Sequence, residues 1–116
     1  MATPSLQDLR VLSPLEWVKE ERRRQQAKWG EQNHNAFKWF TIFAEEFGEV
    51  AQVLEQRTEH RLSPDEYTRE LEYELLQCAA VCVAWVEAIR RADKAYDGPT
   101  CVCEACAADR LKEAGK

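Results

Sequence analysis

In the stretch FTIFAEEFGEVAQVL, residues 40–54, apolar side chains recur at helical rather than strand spacing. At about 100° per residue, Phe40, Phe43, Ala44, Phe47, Val50, Ala51 and Leu54 fall on one broad face, which predicts an amphipathic helix with that face toward a core. Extended outward, the helix is expected from about Ala36 to Arg57. A shared start signal opens a segment on either side. Ser13-Pro14-Leu15-Glu16 and Ser63-Pro64-Asp65-Glu66 each offer Ser as N-cap, Pro at the first helical position and Glu three residues after the cap. They predict a first helix over Pro14 to Lys28, ended by Gly30, and a third over Pro64 to about Ala92. Residues 30–35, GEQNHN, read as a polar loop, and Asp97-Gly98-Pro99 stops any continuation. No period-two alternation competes. The expected fold is all-α, a helical bundle of three main helices plus short terminal helices, with residues 1–97 as the domain and 98–116 as a cysteine-containing tail.

Composition narrows the function classes. The 116 residues suit one domain, and a 45% hydrophobic content is enough to bury a core. Sixteen Lys and Arg against 21 Asp and Glu leave a net charge of -5. That balance argues against the clustered positive charge of non-specific nucleic-acid binding, so no nucleic-acid polymer is expected as partner. Four glycines and four prolines are too few for an all-β chain of many tight turns. The longest mostly apolar run, Leu75 to Ile89, contains Gln77 and Glu87 and falls short of the roughly 18 residues of a membrane span. No membrane partner is expected. The opening MATPSLQDLR carries an acid and lacks the apolar stretch of a secretion signal, so the expected location is cytoplasmic and the five cysteines are expected reduced. Between Leu75 and Ile89 the third helix is apolar nearly all round. Three helices can hardly enclose such a helix, which predicts a homo-oligomer packed on it.

Acids interrupt the apolar seams at helical spacing. Ile42, Glu46, Glu49 and Val53 fall at i, i+4, i+7 and i+11, one stripe with apolar ends and Glu45 beside it. On the third helix Glu70, Glu74, Gln77, Val81 and Trp85 form a similar stripe, polar in its first half. Glu46 and Glu49 can present oxygens to one point, and Glu74 and Gln77 can do likewise from the facing helix. Four oxygen-bearing side chains suit a hard cation, Mg²⁺ or Mn²⁺, which also relieves their mutual repulsion. Glutamates on helices also occur as solvated surface charges, and spacing alone leaves both readings open.

Glu45-Glu46-Phe47-Gly48-Glu49, followed by Glu74-Leu75-Leu76-Gln77, resembles the EExxE…ExxD pattern of the MazG-like, all-α nucleoside triphosphate pyrophosphohydrolases. ERRRQQAKWGEQNH, residues 21–34, is similar to the lead-in of small, often phage-associated members. The likeness covers about Trp17 to Arg91. It implies Mg²⁺-dependent hydrolysis of a nucleoside or deoxynucleoside triphosphate to the monophosphate and pyrophosphate, in a dimer or dimer of dimers. Carried over by position, it implies Glu46, Glu49 and Glu74 as metal ligands, with Gln77 a weak or water-mediated fourth. It also implies Glu45 as the residue that orients or deprotonates the attacking water. The family's final Asp is Gln77 here, a neutral group in place of an anionic ligand.

A triphosphate also needs protein cations. Arg22, Arg23, Arg24 and Lys28 are the only dense basic group, and Lys28, beside the polar loop, is the strongest single candidate. A solvated helix face paired with Glu20 and Glu21 explains the same residues. Trp29, His34 and Trp39 flank the loop and are placed to stack on or hydrogen-bond a base, and Gln32, Asn33 and Asn35 add donors and acceptors. His60, in the helix connection, reads as solvated. Cys101, Cys103 and Cys106 would supply most of a Zn²⁺ site, with a reduced tail as the alternative, while Cys78 and Cys82 are expected on the buried face of the third helix. Two other functions compete. One is a non-catalytic oligomeric helix bundle that retains a metal- or nucleotide-binding remnant, suggested by Gln77. The other is a zinc-stabilised interaction module, suggested by the tail cysteines.

Overall fold

The computed structural model describes residues 11–92 and Tyr96. Three helices account for most of them: α1 over Pro14–Trp29, α2 over Ala36–Thr58 and α3 over Pro64–Arg91. The described residues contain no strand and no helix long and apolar enough to cross a membrane. The expected terminal helices, the tail and the zinc ligands Cys101, Cys103 and Cys106 lie outside the described residues.

The helix ends follow the start signals. Ser13 and Ser63 cap α1 and α3, their hydroxyls accepting from the backbone N–H of Glu16 and Glu66 at 3.2 and 3.1 Å. The Asn35 side chain caps α2 by accepting from Lys38 N–H at 2.9 Å. Gly30, at φ 69°, closes α1 by donating its N–H to the Gln26 carbonyl. With ψ at -163°, this conformation is open to glycine and strained for a residue with a Cβ.

The centre of the molecule is α3, and α1 and α2 each pack against it. On one side Trp17 and Val18 meet Leu76 and Ala80, and on the other Trp39 meets Val81, Ala84 and Ala88. The pairing is large against small. Alanines at 80, 84 and 88 let the neighbouring backbones approach, and the two indoles fill the space so created. Arg22 fastens α1 from the outside, its Nε donating to Glu87 of α3 at 2.8 Å.

Burial corrects the expected core face of α2. Phe40, Phe47 and Leu54 are 60%, 58% and 45% exposed, and Ala44 and Ala51 are exposed as well. Of that face only Val50 is buried and Phe43 half-buried. The side that turns inward carries Trp39, Ile42, Glu46, Val50 and Val53, because among the described residues α2 packs mainly on α3 and the carboxylate stripe faces it. Phe37, Phe40, Ala44, Phe47, Ala51 and Leu54 are thereby left outward at alternating spacings of three and four. On α3, Leu75, Val83, Val86 and Ile89 are likewise exposed. Cys78 is buried as expected, but Cys82 is exposed, since neither α1 nor α2 covers the far side of α3.

Candidate metal centre

Glu46 and Glu49 sit three residues apart on the inward edge of α2, and Glu74 stands on the facing stretch of α3. Together they offer three carboxylate oxygens, all within 4.8 Å of one another. Burial and crowding oppose their ionisation. Burial first, then the carboxylate of Glu49 beside it, holds the Glu74 carboxyl up at about 8. The Glu46 carboxyl is raised by burial and then by Glu49. One oxygen of Glu74, Oε2, is buried without a hydrogen-bond partner. An all-oxygen donor set with an orphaned buried acceptor suits a hard divalent cation.

The cluster borders a cleft of about 330 Å³ between α1 and α2, floored by α3. Gln77, Tyr73, Val81 and Ala84 form the floor, while Ile42, Glu46 and Glu49 form the α2 wall. Opposite stand Arg24 and Gln25 of α1, and Trp29 and Gln32 complete the mouth. Gln77 is only 9% exposed and lines the cleft together with Glu46 and Glu49. Arg24 is the one cationic side chain among the cleft's described lining residues.

Of the residues singled out from sequence, the structure brings Glu46, Glu49, Glu74, Gln77, Arg24, Trp29, Gln32 and Trp39 together around this cleft, Trp39 being buried. Others stand apart. Glu45 is exposed on α2 and does not line the cleft. Lys28 is exposed, its Nζ 4.8 Å above the Trp29 ring, and does not line the cleft either. His34 packs edge-on against Trp39, 4.9 Å between ring centroids, and its carbonyl accepts from the Tyr96 hydroxyl. Arg91 holds the loop by donating to the Asn33 side chain and the Gln32 carbonyl, so the loop polar groups are partly engaged in structure. Of the pairings foreseen on a solvated face of α1, Arg23 with Glu20 forms there, whereas Arg24 meets Glu21 with the carboxylate fully buried.

In the cleft region the sequence did not point to Tyr73, and it suggested Glu21 only as a solvated partner of the arginines. Tyr73 is half-buried on the cleft floor. Glu21 is 1% exposed and accepts from the Arg24 guanidinium through both carboxylate oxygens. A signal for Glu21 existed, because it falls at i+4 from the buried Trp17 and so shares the inward face of α1. Comparison with protein-family models, curated proteins and solved structures finds no match to this chain.

Proposed function

We propose that the protein is a nucleoside triphosphate pyrophosphohydrolase, releasing pyrophosphate from a nucleoside or deoxynucleoside triphosphate with Mg²⁺ or Mn²⁺. The observation that carries this reading is the meeting of Glu46, Glu49 and Glu74 from two helices within 4.8 Å, beside a cleft with Arg24 and Trp29 on its other walls. The resemblance of 45–49 and 74–77 to the MazG-like pattern supports the same assignment. These three glutamates would hold the cation, with Gln77 of the same cleft as a neutral fourth oxygen. A bound cation would supply charge neutralisation for the phosphates and polarise the α-phosphoryl group, whose bond to the oxygen bridging to the β-phosphorus breaks as water adds and pyrophosphate leaves. Trp29, half exposed at the mouth, offers a flat apolar surface to a base. The resemblance gives Glu45 the orienting or deprotonation of the attacking water, a role it would have to fill from the exposed side of α2, since it does not line the cleft.

Assembly as a homo-oligomer, a dimer or dimer of dimers, belongs to the same proposal. The outward stripe of Phe37, Phe40, Phe47 and Leu54 repeats at the spacing of a helix–helix seam, and Leu75, Val86 and Ile89 of α3 are uncovered as well. Neither a nucleic-acid polymer nor a membrane is proposed as partner. One panel tests the activity: incubation with each NTP and dNTP plus Mg²⁺, with release of pyrophosphate as readout. Pyrophosphate from at least one substrate is expected. Its absence throughout would leave the non-catalytic bundle with a binding remnant, the reading that Gln77 favours.

A further inference from the structure

The four basic residues of α1 have separate fates. Arg22 is committed to Glu87 of α3, Arg23 pairs with Glu20 on the surface, and Lys28 lies over Trp29 outside the cleft. Arg24 alone enters the cleft wall, across from Glu46 and Glu49.

Its anchoring is unusual for a surface helix. The Glu21 side chain is completely buried, while Arg24 retains 19% side-chain exposure. Arg24 gives Nε to one oxygen of Glu21 and Nη2 to the other, a fork-on-carboxylate contact that fixes the plane of the guanidinium. A guanidinium carries five N–H donors. Only Nε and Nη2 are bonded to Glu21, and Nη1 makes no hydrogen bond among the described residues. Gln25 braces the same carboxylate, its Nε2 donating to Glu21 at 3.4 Å. A fully buried carboxylate is a poor device for stability alone, since desolvation offsets much of its attraction to the partner. As a clamp it removes the rotamer freedom of a long side chain and leaves its outer N–H groups directed away from the pair.

We infer that Arg24, held by the buried carboxylate of Glu21, is the residue that grips the polyphosphate of the ligand across the cleft from the carboxylate cluster. This rests on the reading of the cleft as a triphosphate site. Planar, forked donors match phosphate oxygens, which a solvated lysine meets only as a point charge. Arg24 is then a binding residue and Glu21 a positioning residue, while the metal is held independently on the other wall.

Calorimetric titration separates these roles, using Mg²⁺ alone and then inorganic triphosphate with Mg²⁺. The chains compared are the parent, Glu21→Gln and the double variant E21Q/R24Q, which strands no buried charge. E21L/R24M, an apolar pair of similar shape, replaces the double variant if circular dichroism shows it unfolded. Mg²⁺ affinity should stay within about twofold throughout. Triphosphate affinity should fall between about tenfold and about a hundredfold in the double variant, the range for losing hydrogen bonds to a charged group. Glu21→Gln should give a smaller loss, and with nucleotide substrate the double variant should raise KM more than it lowers kcat. A folded double variant with parental triphosphate affinity overturns the inference and leaves Arg24 as the structural partner of Glu21. A parent that binds Mg²⁺ but no triphosphate overturns the reading beneath it as well.

Discussion

Glu49 of α2 and Glu74 of α3 bring carboxylate oxygens within 4.8 Å of each other, with Glu46 completing the group. Apolar residues pack α2 on α3, and the acids share their helical spacing and so face the same seam. Crowding of this kind destabilises the ionised, metal-free protein and is relieved by either protons or a cation.

Stability without metal should therefore depend on pH. The Glu74 carboxyl is held up at about 8 in the fold against an ordinary value of 4.5. Between those values the folded chain binds more protons than the unfolded one, so stability is fully present below 4.5 and is lost as pH rises toward 8. Glu46, also raised, acts with the same sign. The melting temperature in chelator should be lower at pH 8 than at pH 5.5, and Mg²⁺ should restore more of it at pH 8. Equal melting at both pH values, with no response to Mg²⁺, would remove the cluster as a cation site.

Glu46→Gln and Glu49→Gln should each abolish hydrolysis while the fold survives. An amide occupies nearly the same space but removes an anionic ligand and one source of repulsion. Melting in chelator should hold or rise, more for Glu46, which is half-buried, than for the exposed Glu49. Parental turnover in either variant would sink the assignment.

How much of this was legible in the sequence differs by level. Helix limits were readable to within a residue or so because the Ser-Pro starts and Gly30 act locally, through one or two backbone hydrogen bonds each; the Asn35 cap of α2 was not among those cues. The cluster was readable because two i, i+3 pairs on adjoining helices have few ways to meet. Which side of α2 faces inward was not. Phe40, Phe47 and Leu54 are as hydrophobic as any core residue, and their exposure follows from α2 packing mainly on α3 among the described residues. Arg24 was likewise hidden among Arg22 and Arg23, since only the tertiary position of Glu87 decides which guanidinium is spent on holding α1 to α3.

The outward stripe gives a test of assembly. Phe47 and Val86 are 58% and 46% exposed, so aspartate at either position stays solvated in a single chain. Phe47→Asp and Val86→Asp should shift sedimentation toward the monomer, because an oligomer would have to bury the unpaired charge. The isolated fold should survive by circular dichroism. A parent that sediments as an active monomer would refute the homo-oligomer.

Gln77→Asp addresses the position where this chain differs from the family it resembles. Gln77 is 9% exposed, yet it lines the cleft beside Glu46 and Glu49, so the new carboxylate would be both buried and close to the cluster. At an effective dielectric near 20 and a separation of roughly 4 Å, one unit charge acting on another is worth on the order of 4 kcal/mol. Dehydration of ion and carboxylate offsets much of this, which leaves about 1.4 kcal/mol, or tenfold tighter Mg²⁺ binding, as the expected gain. The same charge acts in the opposite direction without metal, where a fourth acid joins three that already resist ionisation. Gln77→Asp should therefore melt lower than the parent in chelator and recover more on addition of Mg²⁺. At low Mg²⁺ its activity should equal or exceed the parent's. Calorimetric Mg²⁺ titration alongside melts with and without the ion reads both effects. A variant that is destabilised but binds Mg²⁺ with parental affinity would make Gln77 a structural residue, and the site would then consist of Glu46, Glu49 and Glu74 alone.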